Sequence, residues 1–122
     1  MTIHNFRLEI LDFLCFLGKI IPPSAGNILI FSNGSTAKIK WSLDPSLSLA
    51  KIYRFWNFRN SRDGKAVALA DITPGGETEI ITKIYKVDIE EPATLVLKNV
   101  NGSYNGTYTF YILWPRLVSS EV

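Results

Sequence analysis

Sulfur and imidazole are almost missing from this chain. Its 122 residues hold one cysteine, Cys15, and one histidine, His4. No disulfide can close within it, and a zinc centre of His and Cys has no ligand set. The only histidine base lies at the extreme amino terminus. Excess charge is missing too. The formal charge is +2, too small to give the basic field that nucleic acid binding requires. Long hydrophobic runs are absent from the amino-terminal segment: its longest uncharged apolar stretch, 13–18, cannot span a bilayer.

What is present is a globular composition of one domain's length, 47% hydrophobic and 20% charged. Residues 1–22 read as a poorly defined leader, interrupted by Glu9, Asp12 and Lys19. Ile10, Phe13, Leu14 and Leu17 could line one stripe of a short helix that Pro22-Pro23 would stop. Residues 23–122 are the expected folded domain. Short β-rich runs alternate there with turn clusters, at 27–31, 37–43, 51–58, 65–72, 78–89, 93–100 and 106–114. Asp63-Gly64 is a hairpin signal. No long helical period intervenes, so the pattern predicts an all-β antiparallel sandwich or barrel.

The stretch 93–110, ATLVLKNVNGSYNGTYTF, resembles the E–F region of an immunoglobulin-superfamily domain of variable or intermediate type. That family has L-x-L-x-x-V followed by D-x-G-x-Y-x-C. Leu95, Leu97 and Val100 match the first part, and Gly106 and Tyr108 the second. Tyr104 stands where the family has Asp, and Phe110 where it has Cys. The resemblance implies a Greek-key β-sandwich with an incomplete last strand. It implies that Tyr108 forms a tyrosine corner, its hydroxyl bonded to backbone within 101–105. It also implies that bulky apolar groups replace the inter-sheet cysteine pair. Phe110 would face Trp41 or Ile39, roughly seventy residues upstream. Trp56 is the expected core aromatic of strand C. That register turns Ile52 and Phe58 inward, and with them Arg54, which then needs a carboxylate. The opposite register would bury Tyr53 and Phe55.

No catalytic constellation, metal set or cofactor motif emerges, so the chain reads as non-enzymatic, with catalytic residues none, metal none and cofactors none. Glu90-Glu91 reads as a solvated acidic pair rather than a calcium site, and Gly75-Gly76 as a turn. The basic-aromatic run 51–59 could stack bases of single-stranded nucleic acid, but a core strand with solvated charges is favoured. Three N-x-[ST] sequons, at Asn33, Asn101 and Asn105, fall in expected turns. They point to an extracellular or cell-surface glycoprotein, against which the missing disulfide leans.

The resemblance implies a recognition domain of an adhesion or receptor protein, acting by protein–protein contact, homophilic or heterophilic. No nucleic acid and no direct membrane insertion are expected. With Trp56 inward, Tyr53 and Phe55 point outward on one strand, and Tyr111 and Leu113 on the next, as one exposed aromatic patch. Such aromatics are favoured interface anchors. A carbohydrate-binding sandwich is the alternative, and it would show a groove with convergent polar groups.

Overall fold

A computed structural model describes residues 5–9, 20–21, 23, 28–113 and 117–121. In chain order the strands are β1 Asn5–Glu9, β2 Ile20–Ile21, β3 Ile28–Ser32, β4 Ala37–Lys40, β5 Ser42–Leu43 and β6 Tyr53–Asn60. They continue as β7 Ala66–Ile72, β8 Thr78–Ile80, β9 Val87–Glu90, β10 Thr94–Leu97, β11 Gly106–Leu113 and β12 Leu117–Glu121. One large sheet runs β3-β1-β11-β6-β7-β8, with β12 also on β11. A second runs β4-β10-β9, and β2 pairs with β5. The two main sheets enclose a common core, giving the immunoglobulin-like sandwich.

The expected alternation is realised in β6. Ile52, before the strand, and Arg54, Trp56 and Phe58 within it are buried, while Tyr53, Phe55 and Asn57 are half-buried on the other face. The Asp63-Gly64 signal closes the β6–β7 hairpin. Gly64 takes φ +67°, and its N–H donates to Asn60 O at 2.9 Å. The run 78–89 divides into β8 and β9 because the chain changes sheets there. The amides of Ile81 and Thr82 both donate to Leu69 O, and Thr82 Oγ1 accepts from those of Ile84 and Tyr85.

The amino-terminal segment contributes two strands to the fold. β1 and β2 both lie within 1–22, and both pair with strands of the domain. The reason is an open edge. β12 covers β11 from Thr109 to Leu113, and β1 pairs in parallel with Gly106 and Thr107, where β12 has ended. An uncovered sheet edge recruits any strand within reach. The last strand, Leu117–Glu121, pairs with β11. The expected helical stripe at Ile10, Phe13, Leu14 and Leu17 lies outside the described residues, as do His4 and Cys15.

Phe110 occupies the centre of the sandwich. Its ring is 5.5 Å from that of Trp41 and 4.9 Å from that of Trp56, and all three are fully buried. Ile39, the alternative partner, is buried in the same core. Arg54 is 1% exposed, and it finds its carboxylate. Nη2 meets Glu91 Oε1 at 3.4 Å, and Nη1 donates to Pro92 O at 2.8 Å. Burial lowers its pKa and Glu91 raises it in return. The Tyr108 hydroxyl donates to Tyr104 O at 2.6 Å, completing the tyrosine corner. Tyr104 replaces the family's acid with neutral contacts. Its hydroxyl accepts from Lys86 N at 3.0 Å and donates to Lys98 O at 3.4 Å.

Candidate functional site

The pairing of β6 with β11 sets the outer face of the large sheet. Leu113 stands opposite Tyr53, and Tyr111 opposite Phe55. The Phe55 and Tyr111 rings are stacked, with centroids 4.6 Å apart and planes 10° from parallel. Tyr53 leans on Phe55 at 5.3 Å. Leu113 is 47% exposed. Of the four side chains expected to share an exposed patch only Leu113 is exposed; Tyr53, Phe55 and Tyr111 are half-buried because their rings pack on one another as one aromatic ridge at one end of the face.

The same row continues into charge. Asp71 of β7 stands opposite Phe55, and Glu79 of β8 opposite Asp71. The Tyr53 hydroxyl donates a short hydrogen bond to Asp71 Oδ2. Burial, that bond and the two carboxylates push the Tyr53 pKa up to about 12. Asp71 is only 6% exposed, and its Oδ1 has no hydrogen-bond partner among the described residues. Neither Asp71 nor Glu79 forms an ion pair among those residues. Sequence reasoning missed this acidic corner. The signal was present: Asp71 interrupts the otherwise apolar run 66–72.

Toward the other end of the face the side chains become small. Thr109 stands opposite Asn57 and Asn57 opposite Ala68, then Thr107 opposite Arg59 and Arg59 opposite Ala66. The result is a hollow of about 300 Å³ lined by Asn57, Arg59, Ala66, Thr107, Thr109 and Tyr111. Arg59 is exposed, with Nη1 donating to Gly64 O at 2.6 Å. Arg62 and Lys65 lie in the adjoining hairpin turn beside one acid, Asp63.

A second hollow, of about 360 Å³, is lined by Arg59, Asn60, Ser61, Gly64, Asn105, Gly106 and Thr107. Its polar groups are largely committed. Asn60 Nδ2 donates to Tyr85 Oη and Ser103 O, and Asn60 Oδ1 accepts from Arg62 N.

The remaining sequence candidates are placed as follows. Asn33 and Asn101 are exposed in turns, and Asn105 is half-buried before β11. Asn101 Oδ1 accepts from Ser103 N at 2.9 Å. Glu90 and Glu91 go separate ways, Glu90 to Lys38 at 2.9 Å and Glu91 to Arg54. The run 51–59 is a core strand, and its Trp56 is unavailable for base stacking. Among the described residues no group of three His, Cys, Asp or Glu could hold a metal, and no helix is long and apolar enough to cross a membrane.

No family model matches the chain, and no curated protein matches it by sequence. Solved structures do match. One holds extracellular domains of the voltage-gated sodium channel beta4 subunit, described as parallel homodimers that explain its role in cell-cell adhesion. It aligns at TM-score 0.56 and 18% identity, over 73% of this chain and 80% of that one. Another comes from work on multimeric cell-adhesive interactions of such channel beta subunits. It aligns at TM-score 0.51 and 18% identity, over 73% and 81%. At this identity the likeness establishes the immunoglobulin-like fold.

Proposed function

We propose that this chain is a non-enzymatic recognition domain at the cell surface, acting in adhesion by protein–protein contact through the outer face of its large sheet. The carrying observation is the aromatic ridge of Tyr53, Phe55, Tyr111 and Leu113, with its stacked Phe55–Tyr111 pair. Rings already ordered against each other lose little freedom when a partner covers them. One solved neighbour holds extracellular domains in parallel homodimers tied to cell-cell adhesion, and the other comes from work on multimeric cell-adhesive interactions. That supports a second copy as the first partner to test. The sequons at Asn33, Asn101 and Asn105 support an extracellular setting. The carbohydrate-binding alternative has less support, because the Asn60 side chain in the polar hollow is already engaged.

The test is aggregation of cells that display the chain. Wild type should cluster them, and Tyr53→Ala and Tyr111→Ala should cluster them less at equal surface expression. Unchanged clustering by both variants would move the function away from this face.

A further inference from the structure

The outer face is polar in the geometric sense: its two ends differ in shape and in charge. One end carries the aromatic ridge, with Asp71 and Glu79 beside it. Toward the other end lies the hollow lined by Asn57, Arg59, Ala66, Thr107 and Thr109, with Tyr111 as its border with the ridge. Tyr53 and Arg59 lie on the same face of β6, six residues and roughly 20 Å apart.

Two copies that meet face to face about a two-fold axis can do so in two limiting ways. With the axis along the strands, equal heights meet. Ridge then abuts ridge, and the acidic corner of one copy lies level with that of the other. With the axis across the strands, opposite ends meet. The ridge of each copy then enters the hollow of the other, and Asp71 and Glu79 approach Arg59, Arg62 and Lys65 across the interface. Isologous contact requires such self-complementarity, and charge complementarity selects register and orientation more than raw affinity.

We infer that a second copy of this chain binds this face end over end, strands antiparallel, with the Phe55–Tyr111 ridge seated in the partner's Thr107–Thr109 hollow and the acidic corner set against the partner's Arg59. This rests on the reading that the face is the contact surface, and it adds the orientation. The arrangement also answers a local cost. A buried carboxylate with one oxygen unpartnered is expensive, and the arriving cations offset the charge of Asp71.

The experiment is sedimentation equilibrium on wild type, Arg59→Glu, Glu79→Lys, their equimolar mixture and Tyr111→Ala. Arg59 and Glu79 are both exposed, so the fold should tolerate either change, and matched melting curves check it. Each reversal alone sets like charges together at both symmetric contacts, and should weaken self-association at least about tenfold. In the mixed dimer the two altered residues meet as Glu against Lys at one contact and the native pair remains at the other, so association should return to near wild type. If Tyr111→Ala abolishes association but the mixture shows no rescue, the end-over-end orientation is wrong and the face remains the contact surface. If wild type stays monomeric, a second copy is not the occupant and the orientation falls; if Tyr111→Ala associates as wild type does, the surface reading fails and the orientation with it.

Discussion

The ring of Trp41 lies 5.5 Å from that of Phe110, where the resembled family would tie its two sheets with a disulfide. Both rings are fully buried, and Trp56 also packs on Phe110, at 4.9 Å. An apolar contact therefore links the sheets. Phe110→Ala removes the ring touching both tryptophans and should cost about 3–5 kcal/mol. Chemical denaturation measures it. A loss below about 1 kcal/mol would mean that the sheets are held elsewhere.

The tyrosine corner predicts a smaller effect. Tyr108→Phe keeps the ring, stacked 4.5 Å from Phe58, and deletes the 2.6 Å bond to Tyr104 O. The expected loss is about 0.5–1.5 kcal/mol, seen as a lower denaturation midpoint with unchanged slope. A variant as stable as wild type would show that the hydroxyl contributes nothing.

Arg54 and Glu91 should respond unequally. The guanidinium is buried while Glu91 is exposed. Arg54→Met keeps the volume and removes the charge, so it should cost less than Arg54→Ala, as for other buried ion pairs exchanged for apolar groups. Glu91→Ala leaves the buried cation with Pro92 O alone, and should cost about 1–2 kcal/mol despite its exposed position. Equal stability of Glu91→Ala and wild type would show that solvent serves Arg54 just as well.

Gly106 is fixed by close approach. A Cβ there would sit 2.1 Å from Arg59 O and 2.5 Å from Phe58 Cε1. Gly106→Ala must push β11 away from β6 and should cost about 1–3 kcal/mol or more. The same position pairs with Leu8 of β1, so amide exchange in β1 should accelerate as well.

Period-two alternation made β6 and the core legible. The roles of Trp41, Trp56, Tyr108 and Phe110 came from the resemblance of 93–110 to the immunoglobulin pattern, not from alternation alone. The ridge was legible because that resemblance set the two strands in one sheet and parity then fixed which side chains share a face. The acidic corner was not. Asp71 and Glu79 meet Tyr53 only through the pairing of β6, β7 and β8, and a register shift near Trp56 and Asn57 disturbs simple counting there. The pairing of β1 was also hidden, because it depends on where β12 stops along β11.

The bond between Tyr53 and Asp71 gives the face a pH signature. Burial first, then the Asp71 bond and the charges of Asp71 and Glu79, raise the Tyr53 pKa from 10.0 to about 12. Tyr108 is raised well above 10.0 too, chiefly by burial. The fold thus favours the protonated phenols. Their contribution to stability is complete below the unfolded-state pKa near 10, and is lost as pH rises through the folded values. Absorbance of phenolate at 295 nm should show Tyr53 and Tyr108 still protonated near pH 11. Tyr53→Phe should remove one phenol from the late transition, and Asp71→Asn should bring the Tyr53 transition down toward pH 10. The denaturation midpoint should fall above pH 10 in wild type, and fall less in Tyr53→Phe. If Asp71→Asn leaves the late transition where it was, the carboxylate is not what holds the phenol proton.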